Sequence, residues 1–599
     1  MESTETTVKN LLKGGEFLIK DMPFSDTFTP EDLNEEQKMI IDTTVSFIDT
    51  EVLPVYDRIE KQEPGLTESL LEKAGELGLL GLAIPEEYGG MGKDFNTNSL
   101  LVEYMAKSRS FSLSLGAHIG IGTLPIVYFG NEAQKAHYLP KLASGELKAC
   151  YCLTEPGSGS DALGAKTTAI LNPEGTHYIV NGQKMWITNS GFADVFIVFV
   201  QVGGDKFSGL IMEKGMEGLS LGAEEKKMGI KGSSTRQVFF ENVKVPVENL
   251  LGEVGKGHLI AFNILNVGRY KLAAGVLGAS KMVIEQSAQY AVERQQFKKP
   301  IATFGAIQYK LAEMTTRTYA LQSAVYRAAD AIDNKEKELM AEGKSVQEAI
   351  MKAAEEYAIE CSILKFFGSE VLNYCVDENV QIHGGMGYSE ELGAAPAYRD
   401  ARINRIFEGT NEINRLLTVD MLMKRAMSGK IDLMTPGMAI QKELMSVPDF
   451  SADESNDVLA GELKAIKNLK KAVLLVAGGA AQKLMAKLKD EQEILMNAAD
   501  MMAELYVIES SVLRTQKLIA DRGEAACALQ IDMTKVYTSD ALERVFVYGK
   551  HALQSFAEGD ELRIMLMGLK RFTKYEPFNT KDARRRIAAK VLEEGKYCF

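Results

Sequence analysis

The chain has 599 residues, 46% of them apolar, and a formal net charge of −14. Such a length predicts about four domains around a large buried core. The acidic balance argues against nonspecific nucleic-acid binding, which draws on a basic surface. Cys150, Cys152, Cys361, Cys375, Cys527 and Cys598 show no CxxC pair and no nearby histidine cluster, so free thiols in a reducing compartment are expected and no metal site. No apolar run of bilayer-spanning length and no signal or Arg-rich targeting pattern is apparent. The expected location is the bacterial cytoplasm; a processed organellar form is the alternative.

In chain order, residues 1–30 read as a polar, irregular arm. From about 35 to 145 apolar residues recur at three- and four-residue spacing, predicting helices, one of them stopping near Pro140. From 151 to about 250 short β-rich runs follow one another, divided by Gly, Asn and Pro. Asn181-Gly182 within HYIVNGQKMWIT reads as a hairpin turn. Cys150 and Cys152, two apart, would share one face of a strand. From about 255 to 425 long helical patterns return. Residues 436–457 read as a loop-rich linker, and the remainder as further amphipathic helices. The expected fold is α+β, mainly α: a helical domain (1–150), a β domain (151–260), a helical bundle (261–430) and a helical extension (431–599).

Within 463–489 lysines 464, 467, 470, 471, 483, 487 and 489 are interleaved with Leu463, Ile466, Leu469, Val473, Leu474 and Val476, and no acidic residue intervenes. A basic amphipathic helix can lie on an anionic membrane or can pack its apolar face inward. Gly478-Gly479 predicts a break or kink in it.

Three strings carry chemistry. In RDARINRIFEGTNEINR (399–415), Glu408 precedes Gly409, which can adopt positive φ and approach a ligand closely. A carboxylate on such a turn is a candidate base. YCLTEPGSGSD (151–161) contains a Gly-rich string outside any dinucleotide-fold context, so it is weak evidence alone. In KMWITNSG (184–191), Trp186 is the only tryptophan, able to stack on a flat conjugated ring, and Thr188 offers a hydroxyl on the same strand face.

Together these strings resemble the acyl-CoA dehydrogenase family, flavoenzymes that introduce a double bond between Cα and Cβ of an acyl thioester. The resemblance implies FAD as cofactor, held by Tyr151, Leu153, Thr154 and Ser160, with Trp186 and Thr188 at the isoalloxazine ring. ERQQFKKPIATFGAIQ (293–308) implies that Arg294 reaches the FAD pyrophosphate of a neighbouring subunit, with Gln296, Phe297 and Gln308 of the same segment among the cofactor-binding residues. QIHGGMGYS (381–389) implies that Gln381, Gly384 and Gly385 also reach the FAD of a neighbouring subunit. His383 reads as a packing residue. Thr410, Asn411 and Glu412 complete the implied cofactor set.

The implied mechanism has Glu408 removing the α-proton while hydride passes to flavin N5. The backbone N–H of Glu408 and a ribityl hydroxyl bind the thioester oxygen. Some members carry the base on an earlier helix, a place occupied here by Gly268. Ser160, Asn266, Arg269 and Gly409 are the implied substrate contacts, Asn266 and Arg269 at the CoA moiety. The C-terminal extension, with QEILMNAADMMAELYVIESSVL, is similar to the very-long-chain branch. That implies a homodimer, long acyl-CoA substrates, an electron-transfer flavoprotein as acceptor and a possible peripheral membrane association. An acyl-CoA oxidase and a non-catalytic assembly protein on the same fold are the competing readings.

Overall fold

The structure, a computed structural model, describes residues 12–444 and 457–599. Four helices open the catalytic part of the chain: α1 (Glu35–Phe47), α2 (Leu66–Glu76), α3 (Phe95–Met105) and α4 (Glu132–Ser144). Polar residues start them: Asn34 accepts from Gln37 N and Asn131 from Gln134 N, and both glutamines reach back to complete capping boxes. Contrary to the sequence reading, α4 runs through Pro140 and ends at Gly145. Ser110–Phe129 is long and apolar enough to span a bilayer, but 78% of that window is buried inside the fold.

Eight strands follow: β1 (Ala149–Cys152), β2 (Thr168–Leu171), β3 (His177–Thr188), β4 (Val195–Val202), β5 (Lys206–Glu213), β6 (Leu219–Leu221), β7 (Thr235–Pro246) and β8 (Leu250–Leu251). Their order is β6-β7-β3-β2-β4-β5-β8, with β1 parallel to β4. β4 is buried on both faces. Val195, Ile197 and Phe199 join the core beneath the first helices, while Phe196, Val198 and Val200 join the core of the β domain. Cys150 and Cys152 do share a face, their sulfurs 3.9 Å apart.

The predicted hairpin at Asn181-Gly182 is not formed. β3 runs straight through it beside β7, with register shifts at Val180/Gly182 and at Lys184/Ile187. Gly182 is needed for close approach: a Cβ there would lie 2.6 Å from Thr167 Oγ1.

Four long helices form the next unit: α5 (Gly257–Glu293), α6 (Gly305–Ala341), α7 (Ala358–His383) and α8 (Asn411–Met427). The extension adds α9 (Ala460–Leu484), α10 (Gln492–Arg522), α11 (Ala528–Phe556), α12 (Gly559–Phe572) and α13 (Thr580–Glu594). Both units share one continuous hydrophobic core. Tyr319 on α6 meets Thr515 on α10 at 2.9 Å, and Arg327 pairs with Glu509 at 2.7 Å.

Three further sequence expectations are corrected. The N-terminal arm is packed: Phe17 and Leu18 are buried, Phe17 lies against Tyr506, and Gly15 N donates to Glu360. The expected linker begins as helix, its residues 436–444 lying within the helix Met434–Leu444; residues 445–456 lie outside the described residues. The lysine-rich helix α9 is unbroken at Gly478-Gly479, because Gly479 packs against Met565 and Phe556. Its Ile466, Leu469, Val473, Leu474 and Val476 are buried, and Lys470, Lys471 and Lys483 are ion-paired. That apolar face is therefore not presented to a membrane.

Candidate active site

Glu408 sits in the turn between helical residues 402–405 and α8. Its φ is +57°, followed by Gly409 at +81°. A non-glycine residue holds such a conformation only where its surroundings over-determine it. Here three side chains do so. Lys365 Nζ donates to Gly409 O at 2.6 Å. Asn414 Nδ2 donates to the carbonyls of Glu408, Gly409 and Thr410, closest to Gly409 at 2.8 Å. Arg269 Nε donates to Glu408 O at 3.4 Å. Thr410 caps α8 by accepting from Ile413 N.

The turn aims the carboxylate at α5. A Cβ placed on Gly268 would lie 2.8 Å from Glu408 Oε2, so that glycine makes the room the carboxylate occupies. Oε2 is buried and has no hydrogen-bond partner among the described residues. Burial pushes the carboxyl's pKa up, against the opposing pull of the Arg269 and Lys365 cations. The backbone N–H of Glu408 has no acceptor among the described residues either.

From Glu408 and Thr188 a cavity of about 230 Å³ runs along one face of α5, from Ile264 to Val283. At ~1.5 Å per helical residue that face is roughly 28 Å long. Val102, Leu113, Leu272 and Val276 make its walls largely apolar.

On the other side stands the β3 edge. The second register shift of β3 falls around Trp186, which takes φ +60° and leaves its indole 53% exposed. The hydroxyls of Thr154, Ser160 and Thr188 make no hydrogen bond to the described residues, whereas Ser158 is tied to Asp161 O. Tyr151 Oη is buried without a partner. A ledge with an open aromatic face and unsatisfied donors fits a flat, polar-edged ring such as a flavin. The loop bearing it is anchored by a buried ion pair, Lys184 Nζ to Glu155 Oε1 at 2.7 Å. Glu155 also accepts from the backbone of Lys166 and Thr167, and Met185 N donates to Thr154 O.

The remaining site residues fall into two groups. Arg294, Gln296 and Gln381 are exposed, and Phe297 and Tyr388 are 87% and 86% exposed. Gln295–Gln296 and Lys299–Pro300 form a small hairpin just past α5. Gln308 Nε2 donates to Ala302 O, Gly384 and Gly385 are exposed, and His383 is buried and stacked on Tyr290. Glu412 is exposed.

Two readings are corrected. The amide of Asn411 faces inward and is bonded to Lys365, Ser369 and Glu370, so this side chain is not free for a cofactor. Arg269 and Asn266 are buried together, with Arg269 Nη1 donating to Asn266 at 2.7 Å. They brace the Glu408 turn instead of facing an open CoA groove.

Sequence reasoning missed Lys365, Asn414 and the Lys184–Glu155 pair. A signal existed for two of them: Lys365 interrupts the apolar run CSILKFF and Lys184 the β-rich run of β3. A charged residue inside such a pattern predicts a buried partner.

Base and ring ledge are the two halves that flavin-dependent oxidation of an acyl chain requires. Comparison with known proteins agrees. Models described as the N-terminal, middle and C-terminal domains of acyl-CoA dehydrogenase match residues 34–146, 150–243 and 255–423, and a second C-terminal model matches 468–571. A probable acyl-CoA dehydrogenase of Bacillus subtilis is 52% identical over 98% of both chains. The human very long-chain specific mitochondrial enzyme is 40% identical over 65% of this chain and 58% of its own. A crystal structure of a Bacillus anthracis acyl-CoA dehydrogenase complexed with FAD superposes with TM-score 0.96 and 50% identity, covering 98% of this chain and all of that one. The chain belongs to the acyl-CoA dehydrogenase family.

Proposed function

We propose that the protein catalyses FAD-dependent α,β-dehydrogenation of long-chain acyl-CoA to the trans-2-enoyl-CoA, with Glu408 as the base and an electron-transfer flavoprotein as acceptor. The observation that carries the reading is the Glu408 carboxylate, held on a positive-φ turn in the space left by Gly268, at the head of a long apolar cavity.

The α-proton of a thioester is weakly acidic until its carbonyl oxygen is stabilised as negative charge develops. The unsatisfied N–H of Glu408 is a donor for that oxygen, and the adjoining carboxylate takes the proton. Burial makes the carboxylate a stronger base than one in water. Tyr151, Trp186 and Thr188 would hold the ring of FAD beside the cavity, and Thr154 and Ser160 its polar edge and chain. Bound there, FAD supplies the hydride acceptor that no side chain provides. Arg269 and Asn266 act as positioning residues for the turn.

The length of the cavity supports a long acyl chain. A homodimer is supported by the far end of α5. Arg294 lies roughly 39 Å along the helix from Gly268, too far to serve the flavin beside its own Glu408. With Phe297, Gln381 and Tyr388 it presents an exposed surface suited to the cofactor of a second copy. The test is anaerobic titration of the flavin-loaded protein with acyl-CoAs from short to very long. Bleaching that strengthens with chain length supports the reading. Bleaching confined to short chains removes the long-chain assignment.

A further inference from the structure

The cavity along α5 contains a group the dehydrogenation does not use. Lys271 lies one helical turn beyond Gly268 and lines the same face. It makes no hydrogen bond and no ion pair with the described residues. The two cations that act on Glu408 are Arg269 and Lys365, not Lys271. Asp400, the other carboxylate lining this cavity, accepts from Ile230 N, with Arg109 and Arg399 as the cations near it. Burial alone, with no charged neighbour contributing, pushes the Lys271 amine down to about 8. A lysine in such surroundings either lies idle at a cost in stability or meets its partner on the ligand, since buried cations are otherwise paired.

On the reading that this cavity takes the acyl chain, we propose that Lys271 is a binding residue for acyl-CoAs whose chain ends in a second carboxylate, the monothioesters of dicarboxylic acids. The amine stands at a fixed depth, a short way past the reacting carbons, so it would select for length as well as for charge. A medium chain brings its terminal carboxylate to Lys271. A longer one carries that carboxylate beyond it, among Val276, Ala279 and Val283, where the cation lining the cavity, Arg109, already donates to Tyr56 Oη and Gly393 O. A plain acyl chain of medium length leaves the amine facing methylenes.

The experiment measures kcat/KM of the FAD-loaded enzyme on matched pairs, each acyl-CoA against its ω-carboxylated counterpart of equal length, from adipyl-CoA to hexadecanedioyl-CoA. Expected is a peak at one medium length where the carboxylated member is favoured by roughly tenfold or more, the scale of one charge-assisted hydrogen bond. Lys271→Met should reverse the preference at that length, mainly through KM, and Lys271→Arg should keep it. Lys271→Gln, neutral but polar, serves if the methionine variant does not fold, and it too should lose the peak. A wild-type enzyme that favours the plain chain at every length overturns the proposal. So does a peak that survives loss of the charge. Failure of plain long-chain acyl-CoA to bleach the flavin would instead sink the dehydrogenase reading itself, so the two failures are told apart.

Discussion

At the scale of single residues the chemistry rests on how Glu408 is held. Its pKa is set by burial acting upward and by Arg269 and Lys365 acting downward. Lys365→Met removes one of the opposing cations, so the pKa should climb further. Because the base must be ionised to act, the acid limb of the kcat/KM–pH profile should move to higher pH in this variant, and Lys365→Arg should restore it. An unmoved acid limb would show that another group titrates. Glu408 also bears on stability. Its folded-state pKa lies above the unfolded one, so the native state disfavours the ionised form once the pH passes the unfolded value. Glu408→Gln should therefore melt higher than wild type at neutral pH, with the gap closing as the pH falls below the carboxylate range. Gly268→Ala places a methyl 2.8 Å from Glu408 Oε2, closer than the two atoms can pack, and we expect at least a tenfold loss in kcat from the displaced base, read by stopped-flow flavin reduction. Glu408 and Gly268 were legible in the sequence because the motifs around them are local. Lys365 and Asn414 were not, because their role exists only once α7 and α8 pack side by side.

At the scale of elements, the ring ledge is a loop and a strand joined by one buried ion pair. Breaking such a pair by removing one partner costs about 3–5 kcal/mol, since the other charge stays buried. Lys184→Met should therefore lower the melting temperature and the FAD content together, and Lys184→Met with Glu155→Gln should recover part of the stability. Calorimetry and flavin absorbance on the purified variants check both. The long helical stretches that hold α5 and α7 and the strand-rich texture of 151–250 could be read from the sequence. The Asn181-Gly182 turn and the break at Gly478-Gly479 were misread for one reason. Local punctuation was overridden by packing: Thr167 against Gly182, and Met565 with Phe556 against Gly479. The bulge that turns Trp186 outward gave no local signal.

At the scale of the whole molecule, the extension is part of the catalytic core. Arg514 on α10 pairs with Glu31, just past the N-terminal arm, at 2.5 Å, and Lys470 on α9 pairs with Asp21 of the arm and with Glu509 of α10. The arm thus fastens the extension to α7, whose Glu360 accepts from Gly15 N. The arm read only as polar and irregular, because its few apolar residues, Phe17 and Leu18 among them, are spaced too irregularly to show a pattern. Arg514→Met should destabilise the full chain by about 3 kcal/mol or more by leaving Glu31 without its cation, and the loss should appear as a single melting transition if both units unfold together. Two separated transitions would mean the extension folds by itself. Arg294→Ala should reduce FAD retention on dialysis while leaving the Glu408 turn intact. Unchanged occupancy would count against a cofactor shared between copies.

The measurement that bears most directly on the central claim is single-turnover reduction of the bound flavin by a long-chain acyl-CoA, wild type against Glu408→Gln, under anaerobic conditions. The account predicts rapid bleaching in wild type. In the variant it predicts full FAD occupancy, retained acyl-CoA binding and a reduction rate lower by several orders of magnitude. Reduction of Glu408→Gln at the wild-type rate would place the base elsewhere and contradict the site described for this chain.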